Sequence, residues 1–367
     1  MNQAQENSNP IRVLVTDDSA FMRTAITRMI QSDPTLRVVG SAQSGQEALD
    51  KIAAFKPDVM TLDVEMPGMN GLETLKHIMK ECPLPVIMVS SLTQEGAEVT
   101  LEALDIGAFD YVPKQSSFVS LDIVKIRDDL IGKIKAAVES RKRRPVAHVT
   151  KTGTSSKPAT TFAAPKVAST IVALGTSTGG PKALQEILPL LPEDLHVPVL
   201  IVQHMPQGFT GPFARRLDNL CKVRVREAIQ EEEIQPGVVY IAPAGQHMTV
   251  YRRGSSKAAL RLAHTPEGLL HRPSVDVMMT SVAETFHSLT LGVIMTGMGA
   301  DGVKGMQAIS KEGGFNLGQD EASCTVYGMP RSAAEAKILN RVVSLNQIPE
   351  QIMQITHYKK RAAQASH

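Results

Sequence analysis

Three side chains in the second half of the chain share one setting. Ser177 follows the apolar run Ile171-Val-Ala-Leu-Gly175, His204 follows Val197-Pro-Val-Leu-Ile-Val202, and Asp301 comes shortly after Leu291-Gly-Val-Ile-Met295. An imidazole near its ordinary pKa is the natural base for a serine hydroxyl, and a carboxylate can orient that imidazole. The chemistry such a trio supports is acyl transfer, with Ser177 as nucleophile, His204 as general base and Asp301 as orienter. Gly175-Thr-Ser177-Thr-Gly179 also satisfies the G-x-S-x-G nucleophile-elbow pattern. Backbone N–H groups near Thr178 and Met298 are the expected oxyanion hole, since Ser177 stands on a tight turn close to a helix N-terminus. The chain order Ser, His, Asp differs from the Ser, Asp, His of α/β-hydrolases. That bears on the fold and leaves the chemistry open, because such triads recur on unrelated scaffolds.

A second set lies in the first half. Asp17, Asp18, Asp63, Ser90 and Lys114 each end an apolar run. Carboxylates drawn together repel one another, and a hard divalent cation such as Mg²⁺ relieves that repulsion through oxygen ligands. Asp17, Asp18 and Asp63 are the expected ligands. Asp63 then becomes a candidate nucleophile that forms an aspartyl phosphate. Lys114 supplies a compact positive charge for the phosphate and Ser90 a hydroxyl.

These residues need elements to hold them. Strands are expected at Ile11 to Thr16, Arg37 to Ser41, Asp58 to Leu62, Pro85 to Val89 and around Tyr111-Val112. Apolar residues at helical spacing (Phe21, Met22, Ala25, Ile26, Met29, Ile30; then Ala48, Leu49, Ile52) fall between them. Strands alternating with helices imply a parallel sheet, and in such a sheet function collects at the C-terminal strand ends. The same alternation returns around Ser177, where Ala183, Leu184, Ile187, Leu188 and Leu191 mark a helix face and Pro181 suits its first turn. The fold class is therefore α/β: two doubly wound parallel-sheet domains, the first flavodoxin-like and the second Rossmann-like, joined by a flexible linker. We place the first domain over 10–133, the linker over 134–168 and the second domain over 169–358. Ile123, Ile126, Leu130, Ile131 and Ile134 suggest a last helix in the first domain that runs into Arg141-Lys-Arg-Arg144. From Pro145 to about Ser169 the chain is rich in Thr, Ser, Lys, Ala and Pro without periodicity.

Other assignments compete. Ser177 could serve as a helix cap, and His204 and Asp301 as turn residues. His247 and His271 are alternative imidazoles, Asp276 and Asp320 alternative carboxylates. A zinc site through His204 and His271 lacks a close-spaced ligand pair. A dinucleotide site would read Gly175-x-Ser177-x-x-Gly180, but serine replaces the middle glycine and the next strand ends in Gln203-His204, not in an acidic residue.

The 367 residues suffice for two ordinary domains, and a formal net charge of +2 gives no global bias toward nucleic acid or an acidic membrane surface. No apolar run approaches the roughly 20 residues of a membrane span, and the start of the chain is polar. Three widely spaced cysteines, Cys82, Cys221 and Cys324, form neither a disulfide framework nor a metal-ligand pattern. The expectation is a cytoplasmic protein, a monomer, with reduced thiols and no nucleic-acid partner.

Residues 10 to 133 resemble the receiver domain of two-component response regulators. The likeness rests on Asp17-Asp18, Leu62-Asp63-Val-Glu-Met66-Pro67-Gly-Met-Asn70-Gly71, Ser90 and Gly107-Ala-Phe-Asp-Tyr111-Val-Pro-Lys114. It implies phosphorylation of Asp63 by a chemotaxis histidine kinase, Mg²⁺ dependence, and Tyr111 as a switch aromatic. The lysine of that family is usually followed by proline; here Gln115 follows and Pro113 precedes, so the loop after Lys114 is expected to differ. Ser169 to Val343 resembles the bacterial chemotaxis protein-glutamate methylesterase family, CheB. The likeness is carried by Gly175-Thr-Ser177-Thr-Gly179-Gly180-Pro181, Gln203-His204-Met205-Pro206, Tyr240-Ile-Ala-Pro243-Ala-Gly245, Arg272-Pro-Ser-Val-Asp276, Met295-Thr-Gly-Met298-Gly-Ala-Asp301-Gly302 and Gln319-Asp-Glu-Ala-Ser-Cys324-Thr-Val-Tyr-Gly328-Met-Pro330. It implies hydrolysis of glutamate γ-methyl esters, and deamidation of particular glutamines, on methyl-accepting chemotaxis receptors. It implies no cofactor for the ester chemistry, and activation by the phosphorylated receiver. Ser177, His204 and Asp301 match that family's triad, Thr178 and Met298 its oxyanion hole.

Overall fold

The computed structural model describes residues 9–114, 122–143, 167–254 and 257–359. Gln115 and the linker segment 144–166 lie outside them. The chain divides into two compact units, Met1–His148 and Val149–His367.

In the first unit five strands alternate with five helices: β1 (Ile11–Thr16), α1 (Ala20–Gln31), β2 (Leu36–Ala42), α2 (Gly45–Phe55), β3 (Val59–Asp63), α3 (Gly71–Glu81), β4 (Val86–Ser90), α4 (Gln94–Ile106), β5 (Asp110–Pro113) and α5 (Asp122–Arg143). The sheet order is β2-β1-β3-β4-β5 and every pair is parallel. This is the flavodoxin-like order. Strands β3 and β4 are buried along their whole length, as continuous apolar runs between two helical layers must be. Ser19, Ser44, Asn70 and Thr93 cap α1 to α4 through their side chains, so each helix starts directly after a strand-end loop. The boundary drawn at residue 133 is too early. Helix α5 continues to Arg143 because its apolar stripe does: Leu130, Ile134, Ala137 and Val138 are all buried in the same core.

The second unit contains β6 (Ile171–Thr176), α6 (Gly180–Ile187), β7 (Val199–Gln203), α7 (Thr210–Leu220), β8 (Arg224–Glu227), β9 (Val238–Ile241), β10 (His247–Arg253), β11 (Lys257–Ala263), α8 (Val275–Phe286), β12 (Thr290–Ile294), α9 (Val303–Lys311), β13 (Phe315–Gln319), α10 (Met329–Glu335), β14 (Arg341–Val343) and α11 (Ile348–Ile355). Seven strands form a parallel sheet in the order β14-β13-β12-β6-β7-β9-β8. From β6 the chain winds to one side through β7, then returns to pair β12 on the other. The topological switch point therefore lies beside β6, where an open α/β sheet forms its crevice. The order is Rossmann-like except that β9 inserts between β7 and the edge strand β8. The antiparallel hairpin β10–β11 is an addition that sequence periodicity does not reveal; its apolar residues Met248, Val250, Ala258 and Leu260 join the core that packs α8. Among the described residues no helix is long and apolar enough to cross a membrane.

Candidate active site and acidic pocket

The strands that precede Ser177, His204 and Asp301 are neighbours in the sheet: β12 pairs with β6 and β6 with β7. Ser177 leaves the end of β6 in a turn whose N–H donates to the Thr296 carbonyl (3.0 Å), beyond β12. The His204 N–H donates to the Thr176 carbonyl (3.1 Å). Two buried threonines complete the clamp: Thr176 Oγ1 donates to the Thr296 carbonyl (2.8 Å) and Thr296 Oγ1 to the Thr178 carbonyl (2.9 Å). Gln203 Nε2 donates to the carbonyls of Ser177 and His204 (3.0 and 2.9 Å). The three loops are thus bound into one unit by polar groups that burial makes expensive to leave unpaired.

Helix α6 begins at Gly180 with Gly179 as N-cap and no side-chain cap, so the Ser177 hydroxyl does not serve that helix. Gly179 has φ +76°, and a Cβ there would lie 2.4 Å from Thr325. Gly297 is equally constrained, since a Cβ would meet Met329 Sδ at 2.3 Å and Ser177 Cβ at 2.8 Å. Close backbone approach, more than flexibility, explains glycine at both positions. Among the described residues the backbone N–H groups of Thr178 and Met298 have no hydrogen-bond acceptor.

Asp301 collects four donors. His204 Nε2 (2.8 Å) and the Val275 N–H (2.7 Å) meet Oδ2; Ser274 Oγ and the Asp276 N–H (2.9 Å each) meet Oδ1. Three of the four come from the start of α8, where the helix dipole favours an anion. Burial alone would raise its pKa, but the His204 hydrogen bond and charge, with the α8 backbone donors, hold the carboxyl well below the usual range. A carboxylate only accepts, so Nε2 of His204 carries a proton toward Asp301. Nδ1 is buried and, among the described residues, has no hydrogen-bond partner. A basic nitrogen free for a proton, on a ring oriented by an anion, is what general-base work requires.

The alternative residues have other employment. Asp276 Oδ1 accepts from the N–H groups of Gly302 (2.8 Å) and Gly305 (2.9 Å), capping α9, whose own N-cap is glycine. Asp320 accepts from Ser323 in a local turn. His247 is buried, with Nδ1 accepting from the Ser274 N–H (3.2 Å) and Nε2 donating to the Pro266 carbonyl (3.1 Å). Burial lowers its pKa, consistent with a neutral structural ring. His271 stacks on His204 with centroids 3.9 Å apart and planes 16° from parallel. Faces in contact do not converge their nitrogens on a metal. Sequence reasoning missed this stacking, the Ser274 and α8 donors, and the Thr296 clamp. The motif Arg272-Pro-Ser274-Val-Asp276 was visible, but which carboxylate it served was not.

In the first unit Asp17, Asp18 and Asp63 present carboxylate oxygens within 4.8 Å of one another at the ends of β1 and β3. Lys114 Nζ lies 2.6 Å from Asp63 Oδ2 and 3.2 Å from Asp17 Oδ2. Burial, with the Asp17 charge adding to it against the Lys114 hydrogen bond, pushes the Asp63 pKa up to about 6; Asp17 is also raised by burial. Burial works against the Lys114 ammonium, but the two carboxylates outweigh it and raise its pKa. Two buried carboxylates with one lysine leave excess negative charge. That charge and the all-oxygen donor set fit a hard divalent cation held by Asp17, Asp18 and Asp63. The Ser90 hydroxyl donates to the Gly96 carbonyl (3.1 Å). Tyr111 is buried, with Lys133 Nζ 5.4 Å from its ring centroid and bonded to its carbonyl (2.7 Å); burial raises its pKa.

Taken together, the two units define a response regulator whose output domain is a hydrolase. The CheB methylesterase model matches residues 172–352 and the response regulator receiver domain model matches 13–123. A protein-glutamate methylesterase/protein-glutamine glutaminase of Halalkalibacterium halodurans is 48% identical over 347 residues, covering 94% of this chain and 97% of the relative. A second, of Nitratidesulfovibrio vulgaris, is 46% identical over 369 residues, covering 94% and 98%. The crystal structure of the Thermotoga maritima CheB methylesterase catalytic domain is similar at 40% identity and TM-score 0.49, covering 51% of this chain and 98% of that one. The chain belongs to the CheB methylesterase family, with an N-terminal receiver domain.

Proposed function

We propose that the protein hydrolyses glutamate γ-methyl esters, and deamidates particular glutamines, on methyl-accepting chemotaxis receptors in the cytoplasm, under control of phosphorylation at Asp63. The observation that carries the reading is the His204–Asp301 pair, with a free Nδ1, at a strand end adjacent to that of Ser177.

Ser177 Oγ attacks the ester carbonyl while His204 Nδ1 takes its proton. The carbonyl oxygen becomes an oxyanion, which the Thr178 and Met298 N–H groups receive; loss of one such donor costs about 10²–10³ in kcat. The imidazolium, stabilised by Asp301, returns the proton to the departing methoxide and methanol leaves. Water, deprotonated by the same ring, cleaves the acyl-serine and regenerates Ser177. A glutamine follows the same course with ammonia leaving. In the receiver, the Asp63 carboxylate accepts the phosphoryl group from a chemotaxis histidine kinase, and Lys114 and Ser90 supply charge and hydroxyl to the phosphate. Mg²⁺ bound by Asp17, Asp18 and Asp63 would neutralise charge there. Tyr111 is the proposed reporter of the modified state.

The test is methanol release from methylated receptor membranes, with Mg²⁺ and a small-molecule phosphodonor present or absent. Release should rise with the donor, lose that rise in Asp63→Asn and vanish in Ser177→Ala. Release that ignores the donor would sink the switch; activity retained in folded Ser177→Ala would sink the triad.

A further inference from the structure

Between β11 and α8 the chain makes an excursion whose two ends are pinned by one buried imidazole. His247 Nε2 donates to the Pro266 carbonyl and Nδ1 accepts from the Ser274 N–H, while the Gly245 N–H donates to the Arg272 carbonyl (3.0 Å). The base of this loop is therefore fixed. Its tip is Glu267-Gly268-Leu269-Leu270, all exposed, with Leu269 at 42% and Leu270 at 72% accessibility. The next residue, His271, stacks on His204.

Single exposed leucines are ordinary on protein surfaces. Two in succession on an anchored tip, one residue from a ring in contact with the candidate general base, are a different case. Both are exposed, and through His271 the pair adjoins the ring of the candidate base, beside the place where a substrate carbonyl would meet Ser177. In the loop that leads to Asp301, Gly299 and Ala300 are exposed and small, so that loop offers little resistance to a bulky strand or helix.

We propose that Leu269 and Leu270 form an apolar reading edge for the protein substrate, engaging apolar side chains that flank the esterified glutamate on an amphipathic segment. The inference rests on the esterase reading above and specifies how that site selects a macromolecule over a free amino-acid ester. A small ester reaches Ser177 without spanning the loop tip. A receptor segment spans it and buries both leucines, as the few central apolar contacts of an interface do.

The full-length protein is assayed on methylated receptor membranes and on a small soluble glutamate γ-methyl ester, as wild type, as Leu269→Ser/Leu270→Ser, and as Leu220→Ser, an exposed leucine at the end of α7 (50% accessible). The ratio of kcat/KM for receptor to that for the small ester should fall about 10- to 100-fold in the double variant, through KM, and hold in Leu220→Ser. An unchanged ratio in the double variant overturns the inference while leaving the esterase intact. A double variant that raises turnover of both esters without phosphodonor also overturns it, since the pair would then serve the protein's own regulation. Wild type inactive on both esters removes the esterase reading itself, and this inference with it.

Discussion

Asp301→Ala and Ser177→Ala should both abolish ester hydrolysis and yet differ sharply in stability. Asp301 is 12% exposed and accepts four hydrogen bonds, three of them from Ser274 and the first backbone amides of α8. Alanine leaves those donors buried and unpaired, and removing one partner of a buried charge arrangement costs about 3–5 kcal/mol. For a domain of this size that is a fall of roughly 6–20 °C in the midpoint of its thermal transition. The Ser177 hydroxyl caps no helix, so its removal should move that midpoint by no more than about 2 °C. The pH dependence supplies a second constraint. The Asp301 pKa is depressed in the folded state, so its contribution is fully present above the unfolded carboxyl value of about 4 and is lost as pH falls toward the folded value. Differential scanning calorimetry of the second domain should therefore find wild type and Asp301→Ala far apart at pH 7 and converging below about pH 4. Methanol release should fall about 10⁴-fold in Asp301→Ala. An Asp301→Ala protein as stable as wild type at pH 7 would refute the claim that this carboxylate anchors α8 while it orients His204.

Three further outcomes follow from the same geometry. Because burial raises Asp63 to a pKa of about 6, the folded receiver loses stability as pH rises through about 4 to 6; Asp63→Asn should stabilise the receiver transition at pH 7.5 by about 1–3 kcal/mol, and Mg²⁺ should raise the midpoint of the wild type only. Nitrogen-15 NMR of the resting protein should find His204 protonated at Nε2, and a spectrum showing Nδ1–H would reverse the assignment of the basic nitrogen. Gly297→Ala should fold but cost at least about 10² in kcat, since its Cβ would displace Ser177 or Met329; unchanged kcat would mean that the turn yields.

What the sequence discloses is set by the range of the interaction that encodes it. The parallel strands were legible because burial on both faces writes continuous apolar runs such as Val-Ile-Met-Val at 86–89. The positions of Ser177, His204 and Asp301 at strand ends followed, since function collects there whatever the strand order. The hairpin β10–β11 was not legible: its strand Lys257–Ala263 alternates weakly, and its role depends on α8 lying beneath it. The end of the first domain was misjudged for a related reason. Ala137 and Val138 add little hydrophobic signal beside the charges of 139–144, yet both are buried.

The choice among carboxylates shows the same limit more sharply. Asp276 and Asp301 both sit beside glycine or a helix start, and no local rule separates them. In the fold each serves the other's helix: Asp301 receives the first amides of α8, and Asp276, one residue into α8, receives those of α9. Burial and, after it, the Asp301 charge raise the Asp276 pKa. Only Asp301 also meets a ring nitrogen, and only it is pulled down. The divergence of two carboxyl groups in one pocket is what marks their separate tasks. A charge-stabilising partner for an imidazolium must remain ionised, and a helix cap need not. That difference arises from a contact spanning ninety-seven positions, between His204 and Asp301, and no window along the chain contains it.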